Sequence, residues 1–528
     1  MKMDKTLVVF VSALTAFAAF GGGSVVVDIG ADLGPVKPLH GVCNGPWDAA
    51  TRNVGNDRTR IRQLEEIGVP FVRLHDTGGN YGGAYFVDVS NIFRDFDRDE
   101  NDPASYDFAL TDIYIAEIVK AGAEVFYRLG ETIDHGVVKR RTGVPRDFAK
   151  WARICEHIIA HYNEGWAEGH KWNIRYWEIW NEPNNPLEPN PQWGGTPEQF
   201  YELYATAATH LKKRFPGIRI GGSGEGYVTG STRRGTSASL AWCSGFMKYI
   251  AERRAPYDVL DIHLYTRDPD EFVGSAATAR ALLNKYGYVG TELVVGEWNN
   301  GAGSAFVKTM ASAAMCAASF KTMNDADIAL ACYYHATPQS ATYCGLFNWP
   351  DAGCAKPYFA FKAYSELRKL GRLVKVASPR DDIYALAARN GDRVAVLLSR
   401  YTVDRLDWKP NYAFDEKGVP HPSSEPADEA YLKRVEEADR TVAFNFELKG
   451  IPKGKDAVVT VRRLDGQDDL AVISKTTIPD GCRSAVMTMR QPEVRLVEVE
   501  LVPAELSRDE AVAAAGFFDF GKKDDVRK

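Results

Sequence analysis

Eight short apolar runs, spread between residues 36 and 370 and separated by stretches of helical periodicity, constrain this chain more than any other feature. They occupy 39–43, 71–75, 124–129, 174–180, 218–222, 259–264, 293–297 and 328–334. Their starts lie roughly 30 to 55 residues apart, which leaves room for one helix and two loops between each pair. Parallel strands need a crossover of that length, whereas antiparallel ones can be joined by a tight turn. The repeat is therefore read as βα units, and eight of them predict a closed (β/α)8 barrel over 36–371. Apolar residues at threes and fours place helices over 57–67, 109–121, 145–161, 197–215, 238–253, 305–324 and 357–370. Ile67-Gly68-Val69-Pro70 and Ala121-Gly122-Ala123 stop two of them just before the second and third strands.

Beyond 371 the period changes to two, over 383–388, 394–399, 442–448, 458–463 and 494–501. These segments predict an accessory antiparallel β-sandwich over 372–505. The Val-rich strand at 24–28, within 21–35, lacks a barrel partner and is assigned to the same sandwich. Residues 402–439, rich in charge, Pro and Ser, read as an exposed insertion, and 506–528 as a charged tail. Residues 1–20 have the form of a signal peptide: two lysines, an apolar run, and Ala16-Phe17-Ala18 as small residues for cleavage. The run is shorter than the roughly 20 apolar residues of a membrane span. The expectation is a secreted or periplasmic protein with no stable membrane span after processing.

A formal net charge of −6 provides no basic excess to neutralise phosphates, which argues against nucleic acid as a partner and for a neutral ligand. The eight cysteines are scattered without the ligand spacing of a zinc site, and nothing in the sequence signals a metal or cofactor. Cys344 and Cys354 flank a Trp-Pro-Asp turn and could bridge; most of the others read as small buried thiols.

Barrels carry working residues at the C-terminal ends of their strands, so the informative question is which runs end in a reactive group. Strand four closes with Asn181-Glu182-Pro183 and strand seven with Gly296-Glu297-Trp298. Two carboxyls facing each other across a barrel mouth are what glycoside hydrolysis with retention requires, one as acid/base and one as nucleophile. Glu178 and Glu292 lie at the wrong depth or end, and an inward Glu178 reads as a buried structural carboxylate. Strict alternation would send Asn181 and Glu182 to opposite faces, so strand four must bulge or twist as it ends.

The octapeptide Trp177-Glu178-Ile179-Trp180-Asn181-Glu182-Pro183-Asn184 resembles the acid/base motif of clan A glycosidases, and of glycoside hydrolase family 39 in particular, which contains β-xylosidases and α-L-iduronidases. Phe71-Val72-Arg73-Leu74-His75-Asp76, Trp193 with Tyr201-Glu202-Leu203-Tyr204, Gly296-Glu297-Trp298-Asn299 and Gly345-Leu346-Phe347-Asn348 extend the resemblance over roughly 36–370. It implies that Glu182 is the acid/base and Glu297 the nucleophile, and that Asn181 bonds the sugar 2-hydroxyl. It also implies that His75, His263 and Tyr265 line the pocket, with Tyr265 bonded to the nucleophile. Trp47, Trp193, Trp298 and Trp349 are candidates for stacking on sugar faces. The third strand ends in Glu131, Asp134 and His135 and the eighth in His335, which do not match a xylosidase pattern and are assigned to a differing subsite. The implied function is an exo-acting β-xylosidase on oligosaccharides or other glycosides, without metal or cofactor. An arabinosidase, β-glucosidase or β-galactosidase, or a non-catalytic carbohydrate-binding barrel, stays open as an alternative, as does the oligomeric state.

Overall fold

The computed structural model describes residues 23–45, 60–75, 77, 85–133, 142–184, 192–223, 225–226, 237–299, 305–336, 345–348, 353–402, 412–414, 420–422, 441–481 and 484–504. Residues 1–20, read above as a signal peptide, the 506–528 segment, most of the 402–439 segment, Trp47, Asp134, His135, Cys344, Cys482 and Trp349 lie outside them. The chain divides into two compact units. One contains residues 36–369 with 403–434; the other joins the N-terminal segment up to residue 35 to 370–402 and 435–528.

A lone strand, β1 (Ser24–Pro35), precedes the first unit, in which β2 (Gly41–Cys43), β3 (Phe71–Leu74), β4 (Glu124–Leu129), β5 (Tyr176–Asn181), β6 (Arg219–Ser223), β7 (Glu225–Gly226), β8 (Val259–Tyr265), β9 (Glu292–Asn299) and β10 (Leu330–Tyr334) pair in parallel. Cys43 on β2 sits opposite Tyr334 on β10, so the sheet closes on itself. β7 is a two-residue fragment beside β8, so the barrel keeps an eightfold plan. Cys43, Phe71, Phe126, Tyr176, Val259, Val294, Leu330, Cys332 and Tyr334 form one buried cluster of strand residues. Apolar runs bounded by polar loops thus become walls whose inward residues fill the interior.

Among the described residues, nine α-helices occur: α1 (Ile61–Ile67), α2 (Val89–Ile92), α3 (Ala109–Lys120), α4 (Phe148–Asn163), α5 (Pro197–Arg214), α6 (Ser237–Glu252), α7 (Glu271–Lys285), α8 (Met310–Asp325) and α9 (Lys356–Leu370). Their starts follow local chemistry. Thr196 and Gln199 form a reciprocal capping box at α5, and the Asp147 and Thr309 side chains cap α4 and α8. Thr309 also divides the expected 305–324 helix into a 3-10 turn, Ala305–Lys308, and α8. The α7 segment escaped the periodicity reading because its buried stripe, Phe272, Ser275, Ala276, Ala279 and Leu283, is mostly small residues with little apolar contrast.

The second unit is a mostly antiparallel sheet domain. β11 (Arg372–Ala377), β12 (Ile383–Asn390) and β13 (Arg393–Arg400) follow the barrel; β14 (Tyr412–Phe414) and β15 (Pro420–Pro422), in the insertion, form a separate hairpin grouped with the first unit; β16 (Val442–Lys449), β17 (Lys455–Leu464), β18 (Asp469–Ile478), β19 (Ser484–Met489) and β20 (Glu493–Pro503) complete the domain. The strand order is β18-β17-β20-β13-β12-β11-β1-β16-β19. β1 pairs antiparallel with β11 and parallel with β16, so the N-terminal strand is sewn into the middle of this sheet. Alternate residues of all nine strands, among them Val27, Val374, Val396, Phe446, Val459, Ile478, Met487 and Val499, meet in one buried cluster, as when a sheet is folded over one core. β18 and β19 were not legible as strands because they are edge strands with partly exposed, polar sequences.

Of the cysteines, Cys43, Cys155, Cys243, Cys316 and Cys332 are buried, as small apolar side chains are.

Candidate active site

Two residues beyond the apolar layer, at the same inward parity, the barrel strands carry charge: Arg73 after Phe71, Arg128 after Phe126, Glu178 after Tyr176 and Asp261 after Val259. All four are fully buried. Arg73 donates from Nε to Glu178 Oε2 (2.8 Å) and from Nη2 to Glu178 Oε1 (3.0 Å) and Asn181 Oδ1 (2.8 Å). Its Nη1 donates to Glu297 Oε1 at 2.8 Å, and its Nε lies 3.3 Å from Asp261 Oδ2. Burial opposes the charge on Arg73, but Glu178, Asp261 and Glu297 hold it firmly protonated. Both Glu178 oxygens accept from Arg73, while burial pulls the other way and lifts that carboxyl to about 8.

Above this layer the strands depart from regular geometry. Trp180 and Glu182 adopt left-handed φ values of 72° and 42°, and the β5–β6 register slips between Glu178 and Asn181. Each non-glycine residue held there costs on the order of 1–2 kcal/mol. The distortion brings neighbours that a flat strand would separate into one site: Asn181 reaches Arg73, and Glu182 Oε1 lies 2.7 Å from His263 Nδ1. On β9 the irregularity is an extra residue: Ile262 pairs with Val295 but His263 with Glu297, so Gly296 is bulged. Its N–H donates to Asp261 Oδ1, and a Cβ at Gly296 would fall on that carboxylate, so only glycine fits. The bulge delivers Glu297 to Arg73 and to the Tyr265 hydroxyl, which donates to Oε2 at 2.7 Å.

Glu182, His263 and Glu297 each offer an atom within 4.8 Å of the others. His263 Nδ1 lies between the two carboxyls, 2.7 Å from Glu182 Oε1 and 3.5 Å from Glu297 Oε2. Burial alone would keep this imidazole neutral, yet the Glu297 charge, the Asp261 carboxylate 3.6 Å from Nε2 and the hydrogen bond with Glu182 raise it to about 10. Glu182 is the more open carboxyl, its side chain 13 % exposed against 5 % for Glu297. His75 Nε2 is 3.8 Å from Glu297 Oε1. The structure thus brings His75, Asn181, Glu182, His263, Tyr265 and Glu297 into one site at the C-terminal end of the barrel.

Other candidates fall elsewhere. Trp298, expected to stack on sugar, is 0 % exposed and packs among Phe272, Phe320, Tyr333 and Phe361. With Glu297 inward, the next strand residue points outward to the helices, which corrects that assignment. Trp193 is also a packing residue: its ring lies edge-on to Trp180 and Phe200, and its Nε1 donates to Thr196 O. His335 is buried directly after β10 with its ring edge-on to Tyr334. Glu131 accepts from the Ser90 amide and hydroxyl at α2, and burial with the Asp88 charge lifts it to about 8. Trp349 lies outside the described residues.

Arg73, Asp261 and Gln192 were missed as functional residues. The first two had a signal, a single charge at inward parity inside an apolar strand. Gln192 had none, since it is a loop residue that only the fold carries to Glu182. Among the described residues, three groups of side chains could offer ligand atoms to a metal ion: Glu182/His263/Glu297, Glu178/Asp261/His263, and Asp112/His161/His170. In the last, His161 already contacts Trp166 O at 2.9 Å and Asp112 Oδ1 at 3.0 Å.

Residues 24–285 match the family described as glycosyl hydrolases family 39. The chain is 24% identical over 259 residues to a β-xylosidase of Caldicellulosiruptor saccharolyticus, covering 46% of each chain. It is 24% identical over 263 residues to a β-xylosidase of Geobacillus stearothermophilus, covering 44% of this chain and 47% of that one. The matches thus span under half of these curated relatives. Among solved structures, a glucosidase from Croceicoccus marinus superposes with a TM-score of 0.72 at 23% identity, covering 91% of this chain and 99% of the other. A monomeric β-xylosidase from Caulobacter crescentus gives 0.65 at 17% identity, with 90% and 99% covered. These likenesses establish a shared fold.

Proposed function

We propose that this chain, which matches glycosyl hydrolases family 39 over residues 24–285, is a retaining glycosidase in which Glu297 is the nucleophile and Glu182 the acid/base. The observation that carries the reading is the separation of the two carboxyls, with an oxygen of each within 4.8 Å of the other. Retaining enzymes hold the pair at about 5–5.5 Å, whereas inverting ones leave about 6.5–9.5 Å for an intervening water. Arg73 and Tyr265 occupy the Glu297 oxygens with N–H and O–H donors, which stabilises the carboxylate and aims it.

In the first half-reaction a Glu297 oxygen attacks the anomeric carbon, the glycosidic C–O bond breaks, and Glu182 passes a proton to the departing oxygen. In the second, Glu182 takes a proton from water, which attacks the same carbon and releases Glu297. The more open Glu182 is suited to the side where the leaving group departs. Glu182 Oε1 lies 2.7 Å from His263 Nδ1, a distance over which a proton can pass between the two groups. We assign to Asn181, next to Glu182, a hydrogen bond to a sugar hydroxyl. We assign the substrate to oligosaccharides cleaved from one end, with xylose favoured by the two curated relatives, and the location to outside the cytoplasm by the N-terminal segment.

Aryl glycosides of xylose, glucose, galactose and arabinose test the reading. At least one should turn over with retained anomeric configuration, and Glu297→Ala should lose about four or more orders of magnitude in kcat, partly recovered by azide. Inverted product, or near-normal turnover by Glu297→Ala, overturns it.

A further inference from the structure

Resting on that reading, we propose that Gln192 is a positioning residue that decides which oxygen of Glu182 carries the transferable proton. Gln192 is 2 % exposed and lies in the segment between β5 and α5. Its Nε2 is 2.6 Å from Glu182 Oε2, its Oε1 is 2.6 Å from Asn181 Nδ2, and its backbone oxygen accepts from Trp180 Nε1 at 2.6 Å. Both flanks of the distorted β5 terminus are therefore tied to one loop residue.

The direction of these bonds follows from chemistry alone. A guanidinium can only donate, so the Asn181 atom facing Arg73 Nη2 must be its oxygen, and its amide nitrogen must face Gln192. Asn181 then donates to the Gln192 oxygen, which turns the Gln192 nitrogen toward Glu182. Arg73, Asn181 and Gln192 thus form a chain of donors with one possible polarity, ending on Glu182 Oε2. An N–H contact of 2.6 Å needs an available lone pair, and the hydroxyl oxygen of a carboxylic acid is the poorer acceptor. Oε2 is held as the acceptor, so the single proton of the 2.7 Å contact with His263 Nδ1 reaches Glu182 only at Oε1. Gln192 acts through Glu182: it keeps the acid in one rotamer and one tautomer before the sugar arrives.

Gln192→Met keeps the side-chain length and removes the donor; Gln192→Leu is a second variant, and either one that folds suffices. For each, kcat/KM is measured with a dinitrophenyl glycoside, whose leaving group departs without a proton, and with an alkyl glycoside, whose leaving group needs one. The ratio of the two should shift by roughly tenfold to hundredfold against the alkyl substrate, a part of what general acid catalysis contributes. Equal loss on both substrates, as a merely structural residue gives, or no loss on either, overturns the proposal. Glu182→Ala is the reference: a leaving-group-selective loss there without one in the Gln192 variants sinks this inference alone. The absence of such a loss in Glu182→Ala sinks the functional reading beneath it.

Discussion

His263 makes the barrel's stability depend on pH in a calculable way. Its folded pKa is raised from 6.5 to about 10, so below the unfolded value both states carry the proton and its stabilisation is fully present. Between the two values the folded state holds one more proton than the unfolded chain, and stability falls by about 1.4 kcal/mol per pH unit. The whole interval amounts to about 5 kcal/mol, and the stretch from about pH 8 to 9.5 to about 2 kcal/mol. Glu131 and Glu178, each raised to about 8, contribute a loss of the same sign at lower pH, and the buried thiols of Cys43, Cys155, Cys316 and Cys332, pushed up by burial, add one in the upper stretch, so the comparison with a variant isolates His263. His263→Gln keeps an amide donor toward Glu182 but does not titrate. The described tryptophans all lie in the barrel unit, so their emission during urea unfolding follows that unit. Across this stretch the parent should lose about 2 kcal/mol more than the variant. Parallel stability curves for the two would refute the claim that this imidazole is charged in the folded site.

Arg73→Lys supplies one point charge where a forked donor serves Glu178, Asn181 and Glu297; urea unfolding should show a loss of about 3–5 kcal/mol, with kcat reduced, and a loss below about 1 kcal/mol would contradict its central place. Trp298→Ala should cost about 3–5 kcal/mol in the same assay while KM stays within about twofold. A raised KM at unchanged stability would return Trp298 to the sugar.

Much of the fold was legible because burial writes itself into the sequence. Runs such as Val259–Tyr265 are too apolar to be anything but buried walls, and the intervals between them admit only a crossover helix. Glu182 and Glu297 stood out because each ends such a run. Where contrast weakens, as in the alanine-rich stripe of α7 or the polar edge strand β18, the pattern disappeared.

What the sequence determined alone was which residues lie on the barrel wall, at which end the chemistry sits, and that β5 had to break its alternation to present Asn181 and Glu182 together. The tertiary structure decided how that break is made and held: left-handed Trp180 and Glu182, a bulged Gly296, and one buried Arg73 joining three strands. It also decided that Gln192 meets Glu182 and that Trp298 turns away. Side-chain parity is local and propagates along a strand, whereas the meeting of β3, β5, β8 and β9 side chains at one point follows from barrel closure, which no stretch of sequence contains.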